Sequence, residues 1–172
     1  KAQAQNQRGA WRYAPTSTDG DTSVSGANLR ALFSARDAGI KVPEKAIDKA
    51  IDFFGQCQNC DGGFGYTSPG GSNSPRPSIG ALMLGLGNAR PSANYKSATD
   101  YLQLGNSSSV GHYYHYNLYY VSQAYFLFDR EIWKQWDKQN IASLKESQTE
   151  DGGWGSTKGF GPSFATATSL LS

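Results

Sequence analysis

Gln58-Asn59-Cys60-Asp61-Gly62-Gly63-Phe64 decides how this 172-residue chain reads, because its spacing occurs twice more. Gln5, Gly9 and Trp11 precede it, and Gln148, Gly152 and Trp154 follow it, always as Gln-x3-Gly-x-aromatic. Trp11 and Phe64 stand 53 positions apart, and Phe64 and Trp154 stand 90 apart. The second interval is two units of about 45, the length of a helical-hairpin repeat. A degenerate copy is therefore expected between them, with Gln103 followed by Asn106 to Ser109, Gly111 and His112. The motif has a physical sense of its own. Its glycines permit positive φ and close approach, its Gln can satisfy backbone groups at helix ends, and its aromatic residue is a large apolar plug.

Outward from the motif, the chain alternates two helical patterns. Asp21 to Ala38 spreads Val24, Ala27, Leu29, Leu32, Phe33 and Ala35 widely round a helix, whereas Pro43 to Gln58 sets Ala46, Ile47, Ala50, Ile51 and Phe54 at intervals of three and four. The first pattern predicts the more buried helix. The same inner-then-outer order returns as Ser78 to Leu86 with Ala93 to Leu104, then as His115 to Phe128 with Ile132 to Ser147; Phe164 to Leu171 begins another inner helix. Seven helices are expected, with Asp21 and Ser78 as N-caps, Pro43 at a first helical position and Gly39 closing the first helix. The fold class is thus all-α, about three and a half hairpins in one domain over 1–172. Each hairpin leaves an apolar face that neighbours must cover, and both ends of the chain read as cut.

Composition agrees with a folded repeat and excludes several partners. The chain is 38% hydrophobic and 17% charged with a net charge of +2, so it is neither a polyelectrolyte nor a basic nucleic-acid binder. No apolar run of about 18 residues is present, so no transmembrane helix is expected, and the start shows no signal peptide. A soluble segment follows, with the compartment left open, an exported or periplasmic one included. Cys57 and Cys60 form a lone Cys-x-x-Cys: a disulfide, a redox pair, half a metal site or two ordinary thiols. No second ligand pair stands at zinc spacing, so no metal or cofactor is assigned.

The repeated Gln-x3-Gly-x-Trp resembles the QW motif of squalene and oxidosqualene cyclases and the related repeat of protein prenyltransferase β subunits. Trp11-Arg12-Tyr13, Asp21 to Gly26, Tyr119-Tyr120 with Gln123-Ala124, and Trp133 to Trp136 resemble segments of bacterial prenyltransferase and squalene oxidase repeat proteins. The resemblance implies an α/α-toroid: a ring of inner helices wrapped by outer ones, with any cavity at the centre. It also directs attention to Asp19-Gly20-Asp21-Thr22, a partial match to the Asp-x-Asp-Asp-Thr of the cyclases. Aligned on Thr22, the proton-donating position falls on Gly20, which has no side chain, and Asp21 matches the last Asp. The zinc site of the prenyltransferases is not carried over, since no Asp-x-Cys precedes an inner helix.

Asp19 and Asp21 are the catalytic candidates. Either needs a raised pKa in an apolar cavity to act as an acid, whereas an Asp before a helix also serves as a cap. Ligand-binding candidates cluster at the inner-helix starts: Arg12 and Tyr13 after the first motif copy, Arg76 between Pro75 and Pro77, and His112, His115, Tyr116, Tyr119 and Tyr120 in the aromatic run. Arg76 can meet an anion beside free backbone N–H groups, and tyrosine faces can hold a cation, a carbocation or a sugar ring. Two histidines without nearby carboxylates do not make a metal site. The leading expectation is a module that binds an apolar or aromatic-compatible small ligand, or a protein, across its inner-helix face. Its other partners are the remaining repeats of the same chain or of another subunit. A terpenoid-cyclase-like enzyme acting on a polyprene and a carbohydrate-active toroid enzyme are the alternatives.

Overall fold

A computed structural model of the chain describes residues 4–72, 75–87, 92–106, 113–155 and 160–172. These residues are all-helical: α1 (Thr22–Asp37), α2 (Glu44–Cys57), α3 (Arg76–Leu86), α4 (Ala93–Tyr101), α5 (Tyr114–Phe128), α6 (Arg130–Ser147) and α7 (Pro162–Leu170). Leu102–Asn106 continues the end of α4 and kinks at Gly105, which has a φ of 78°. The only pairing of extended backbone among them is one bridge, Gln58 with Phe64, across a motif turn.

Local chemistry sets the helix starts. Asp21 caps α1, its Oδ1 accepting the Val24 N–H at 2.8 Å. Asp129 caps α6, taking the N–H groups of Glu131 and Ile132, which starts that helix two residues earlier than its apolar pattern predicts. α3 and α7 also start early, because Pro77 and Pro162 fit the first turn, where the missing N–H costs nothing. Ser78, expected as a cap, lies inside α3 instead. Its buried hydroxyl donates to Asn117 Oδ1 of α5 at 2.9 Å. Pro43 is the residue before α2 rather than its first helical residue.

The odd-numbered helices form a row, α1 on α3, α3 on α5 and α5 on α7. α2 lies against α1 and α3, α4 against α3, and α6 against α5. α3 sits in the middle, so every residue from Pro77 to Gly85 is buried. The main core joins Leu29 and Phe33 of α1, Ala50 and Phe54 of α2, Ile79 and Met83 of α3, and Val121 and Tyr125 of α5. A second cluster of Leu118, Leu144, Trp154 and Ala165 ties α5, α6 and α7 to the last motif copy.

The three motif copies share one turn. In each, the residue after the Gln and the glycine three further on close a tight turn: Gly9 N–H to Asn6 O at 3.1 Å, Gly62 to Asn59 at 3.0 Å and Gly152 to Thr149 at 2.8 Å. The glycines have φ of 83°, 93° and 83°, where a Cβ is disfavoured. Each Gln Nε2 donates to the carbonyl of its own glycine, at 2.9, 3.2 and 2.8 Å. Trp11, Phe64 and Trp154 are all buried as plugs. The motif Gln was expected to satisfy free backbone groups at helix ends; Gln5 and Gln58 instead donate to carbonyls inside a neighbouring helix. They reach carbonyls in the first turn of α2 and α4, those of Ala46 and Asn94, both at 2.8 Å. The degenerate copy falls mostly outside the described residues.

Candidate functional site

Because each motif copy hands the chain to an odd-numbered helix, the N-terminal ends of these helices gather on one side. A cavity of about 650 Å³ opens there. Ser23, Val24 and Ala27 of α1 form one wall, Pro75 and Arg76 at the start of α3 another, and Tyr113 and Tyr116 at the start of α5 a third. Phe160, just before α7, and Tyr13 and Tyr66, each two residues beyond a motif aromatic, complete it. The volume lies within the range of small-molecule sites, about 300–1,000 Å³.

Aromatic surfaces and the Arg76 guanidinium line the cavity, with Arg12 stacked behind two of its tyrosines. The Tyr66 ring carries Arg12 at 5.2 Å and Arg76 at 5.9 Å from its centroid. Arg76 is also tethered through Nη2 to Gly71 O at 2.5 Å, which holds its planar cation among the lining residues. Burial lowers the Arg76 pKa from its ordinary value, though a guanidinium remains charged at neutral pH. Burial, a hydrogen bond to Tyr13 and the nearby Asp21 push the Tyr66 hydroxyl up, so it is a neutral donor. Tyr116 is likewise raised, by burial first and by Tyr120 next. Its ring stacks on Phe160 at 6.0 Å and meets Tyr120 edge-on at 5.1 Å.

The candidates from sequence divide among three settings. Arg76, Tyr13 and Tyr116 line the cavity, and Arg12 lies behind it against Tyr13 and Tyr66. Asp21 is fully buried, with Oδ1 held by Val24 N–H and Oδ2 by Arg12 Nη1 at 3.1 Å. Asp19 is exposed and pairs with Arg12 Nε at 3.5 Å. Tyr120 belongs to the buried core, and Tyr119 packs on its edge at 5.0 Å. His115 is buried away from the cavity, its Nδ1 2.9 Å from Ser169 Oγ of α7. Burial lowers its pKa, so it is neutral at pH 7. His112 lies outside the described residues. Cys57 and Cys60 are free, the first buried with its thiol pushed up to about 11 by burial, the second exposed. Among the described residues no group of three metal-ligating side chains exists, and no helix is long and apolar enough to cross a membrane.

Sequence reasoning missed Tyr66, Tyr113 and Phe160. Tyr66 was readable from the repeat itself, since it occupies the same offset from Phe64 as Tyr13 from Trp11. No protein-family model matches the chain, and no curated protein matches it.

Proposed function

We propose that this chain is a ligand-binding repeat module of the α/α-toroid kind, similar to the squalene-cyclase and prenyltransferase repeats. Its ligand combines an apolar or unsaturated body with an anionic head. The observation that carries this is the convergence of Tyr13, Tyr66, Tyr113, Tyr116 and Phe160 with Arg76 on one cavity of about 650 Å³. Apolar faces take up the body, and the Arg76 guanidinium brings a positive charge to the wall that a carboxylate or phosphate would meet. The row of odd-numbered helices, each flanked by an even-numbered one, supports the toroid arrangement.

Binding is favoured over cyclase chemistry by the state of the acidic residues. A proton donor to an alkene needs a protonated carboxyl aimed at its substrate. Both Asp21 oxygens are already taken up by hydrogen bonds, one from Val24 N–H and one from Arg12 Nη1, and exposed Asp19 pairs with Arg12 Nε, so neither is aimed at a substrate in the cavity. A carbohydrate-active reading loses support because His115 is packed against α7 rather than lining the cavity.

Calorimetric titration with a prenyl diphosphate and the matching prenyl alcohol tests this reading. The diphosphate is expected to bind the more tightly, and Arg76→Ala to weaken it about tenfold, the loss of one charge-assisted hydrogen bond. Tyr116→Ala should weaken both probes. Equal binding of diphosphate and alcohol, or indifference to Arg76→Ala, refutes the anionic head.

A further inference from the structure

The three motif copies share a turn but not a neighbour. At the first, Gln5 donates to Ala46 O of α2, and a Cβ on Gly9 would lie 2.1 Å from Lys49 O. Phe53 of the same helix packs on Ala10 and Cys57 in a buried cluster. At the second, Gln58 donates to Asn94 O of α4, a Cβ on Gly62 would lie 2.1 Å from Ser97 O, and one on Gly63 would lie 3.0 Å from the Tyr101 ring.

The spacing along the two covering helices is the same. Counted from the carbonyl that receives the Gln, the residue one further on is buried and large (Ile47, Tyr95), and the glycine is met three further on (Lys49, Ser97). Four further on stands a buried alanine (Ala50, Ala98), and seven further on a buried aromatic (Phe53, Tyr101). α6 breaks this pattern. Eight residues before its motif Gln, where α2 has Ala50, it carries Asn140, buried with Nδ2 unsatisfied.

The third copy has the turn without the cover. Gln148 Nε2 donates to Gly152 O, but a Cβ on Gly152 would meet no described atom within 4 Å. Where Ala10 meets Phe53 and Gly63 meets Tyr101, Gly153 borders a hollow of about 390 Å³, bounded by Thr149, Asp151, Trp154, Pro162 and Thr166.

We infer that this junction is a docking site for the first turns of an amphipathic α-helix of the α2 and α4 type. That helix offers a carbonyl to Gln148 Nε2 and crosses Gly152 three residues later. It packs an alanine against the turn at the fourth position and inserts an aromatic side chain beside Gly153 at the seventh. The hollow shares no lining residue with the aromatic cavity, and the inference stands or falls separately from the ligand proposed there.

The test uses a synthetic peptide of residues 43–58, the α2 segment, titrated into the full isotope-labelled chain and followed by amide NMR. Shifts confined to Gly152, Gly153 and the Gln148 side-chain amide are expected. Ala50→Glu in the peptide should weaken binding at least tenfold without touching the fold of the protein. Gln148→Ala in the protein should weaken it about fivefold, the loss of one hydrogen bond. Three results overturn the inference: no shift at millimolar peptide, equal binding of the Ala50→Glu peptide, or shifts centred on Gly9 instead. Self-association of the chain alone that Gln148→Ala abolishes also overturns it, since a second copy would then be the occupant.

Discussion

The contrast between covered and uncovered motif copies makes Gly62→Ala and Gly152→Ala an internally controlled pair. Both glycines hold positive φ, 93° and 83°, so each alanine incurs the left-handed penalty of about 1–2 kcal/mol. Only at Gly62 does the new Cβ meet backbone, 2.1 Å from Ser97 O. A carbonyl cannot rotate away as a side chain can, so α4 must shift. That displacement adds overpacking of about 1–3 kcal/mol and endangers the hydrogen bond from Gln58 to Asn94, worth about 1 kcal/mol. Gly62→Ala should therefore cost about 2–4 kcal/mol more than Gly152→Ala. At roughly 2–4 °C per kcal/mol for a chain of this size, the two Tm values should differ by about 5–15 °C. Urea and thermal unfolding, followed by both helical circular dichroism and tryptophan fluorescence, measure this. Equal losses from the two variants would refute the register that joins motif glycine to covering helix.

Other consequences concern buried ionisable groups. In native buffer a disulfide-exchange reagent should titrate the exposed Cys60 quickly and reach Cys57 only on unfolding, because burial holds that thiol at a pKa of about 11; two fast thiols would contradict its position in the core. Arg12→Ala strips the cation from the fully buried Asp21 and should cost about 2–3 kcal/mol in urea unfolding, below the usual cost for a fully buried pair because Arg12 is partly exposed. Asp21→Asn keeps an acceptor for Val24 N–H and should destabilise less than Asp21→Ala; the opposite order would remove the capping role. The folded-state pKa of His115 is depressed, so the unfolded chain takes up its proton first. The contribution of His115 is complete above about pH 6.5 and is lost as pH falls below it. Tm measured across that range should fall less steeply in His115→Gln, and an unchanged slope would place the acid sensitivity elsewhere.

Helices were the most legible feature of the sequence, because burial imposes a period that composition alone cannot hide. α2 shows why: its apolar residues sit on one stripe, and all of Ala46, Ile47, Ala50 and Phe54 are buried. Starts were less legible, because an N-terminal turn is set by a cap or a proline that carries no periodic signal, as at Asp129 and Pro162. Ser78 was misplaced for a related reason. A serine near a helix start is ambiguous between a cap and a buried hydrogen-bonding partner, and only the approach of Asn117 from α5 decides it. His115 and Tyr120 looked like cavity residues from the density of the aromatic run. On a helix flanked by α3, α6 and α7, however, one run must face several ways, and only Tyr116 with neighbouring Tyr113 turns to the cavity.

The position of Tyr13 and Tyr66 shows how one repeat can carry both architecture and chemistry. The motif residues themselves are spent on the turn: the Gln on carbonyls, the Gly on backbone approach, the aromatic on the core. None is free to vary without disturbing the hairpin. Two residues later the chain has left the turn and faces the shared cavity, where Tyr13 is 77% exposed and constrained by little except its neighbours Tyr66 and Arg12. Substitution there reshapes the cavity wall at small cost in stability, since an exposed side chain contributes little to burial. Under the binding function proposed above, ligand preference can therefore diverge between repeats while the hairpin stays the same. The residues that distinguish one ligand from another are then those just past each motif copy, not those that make the motif recognisable.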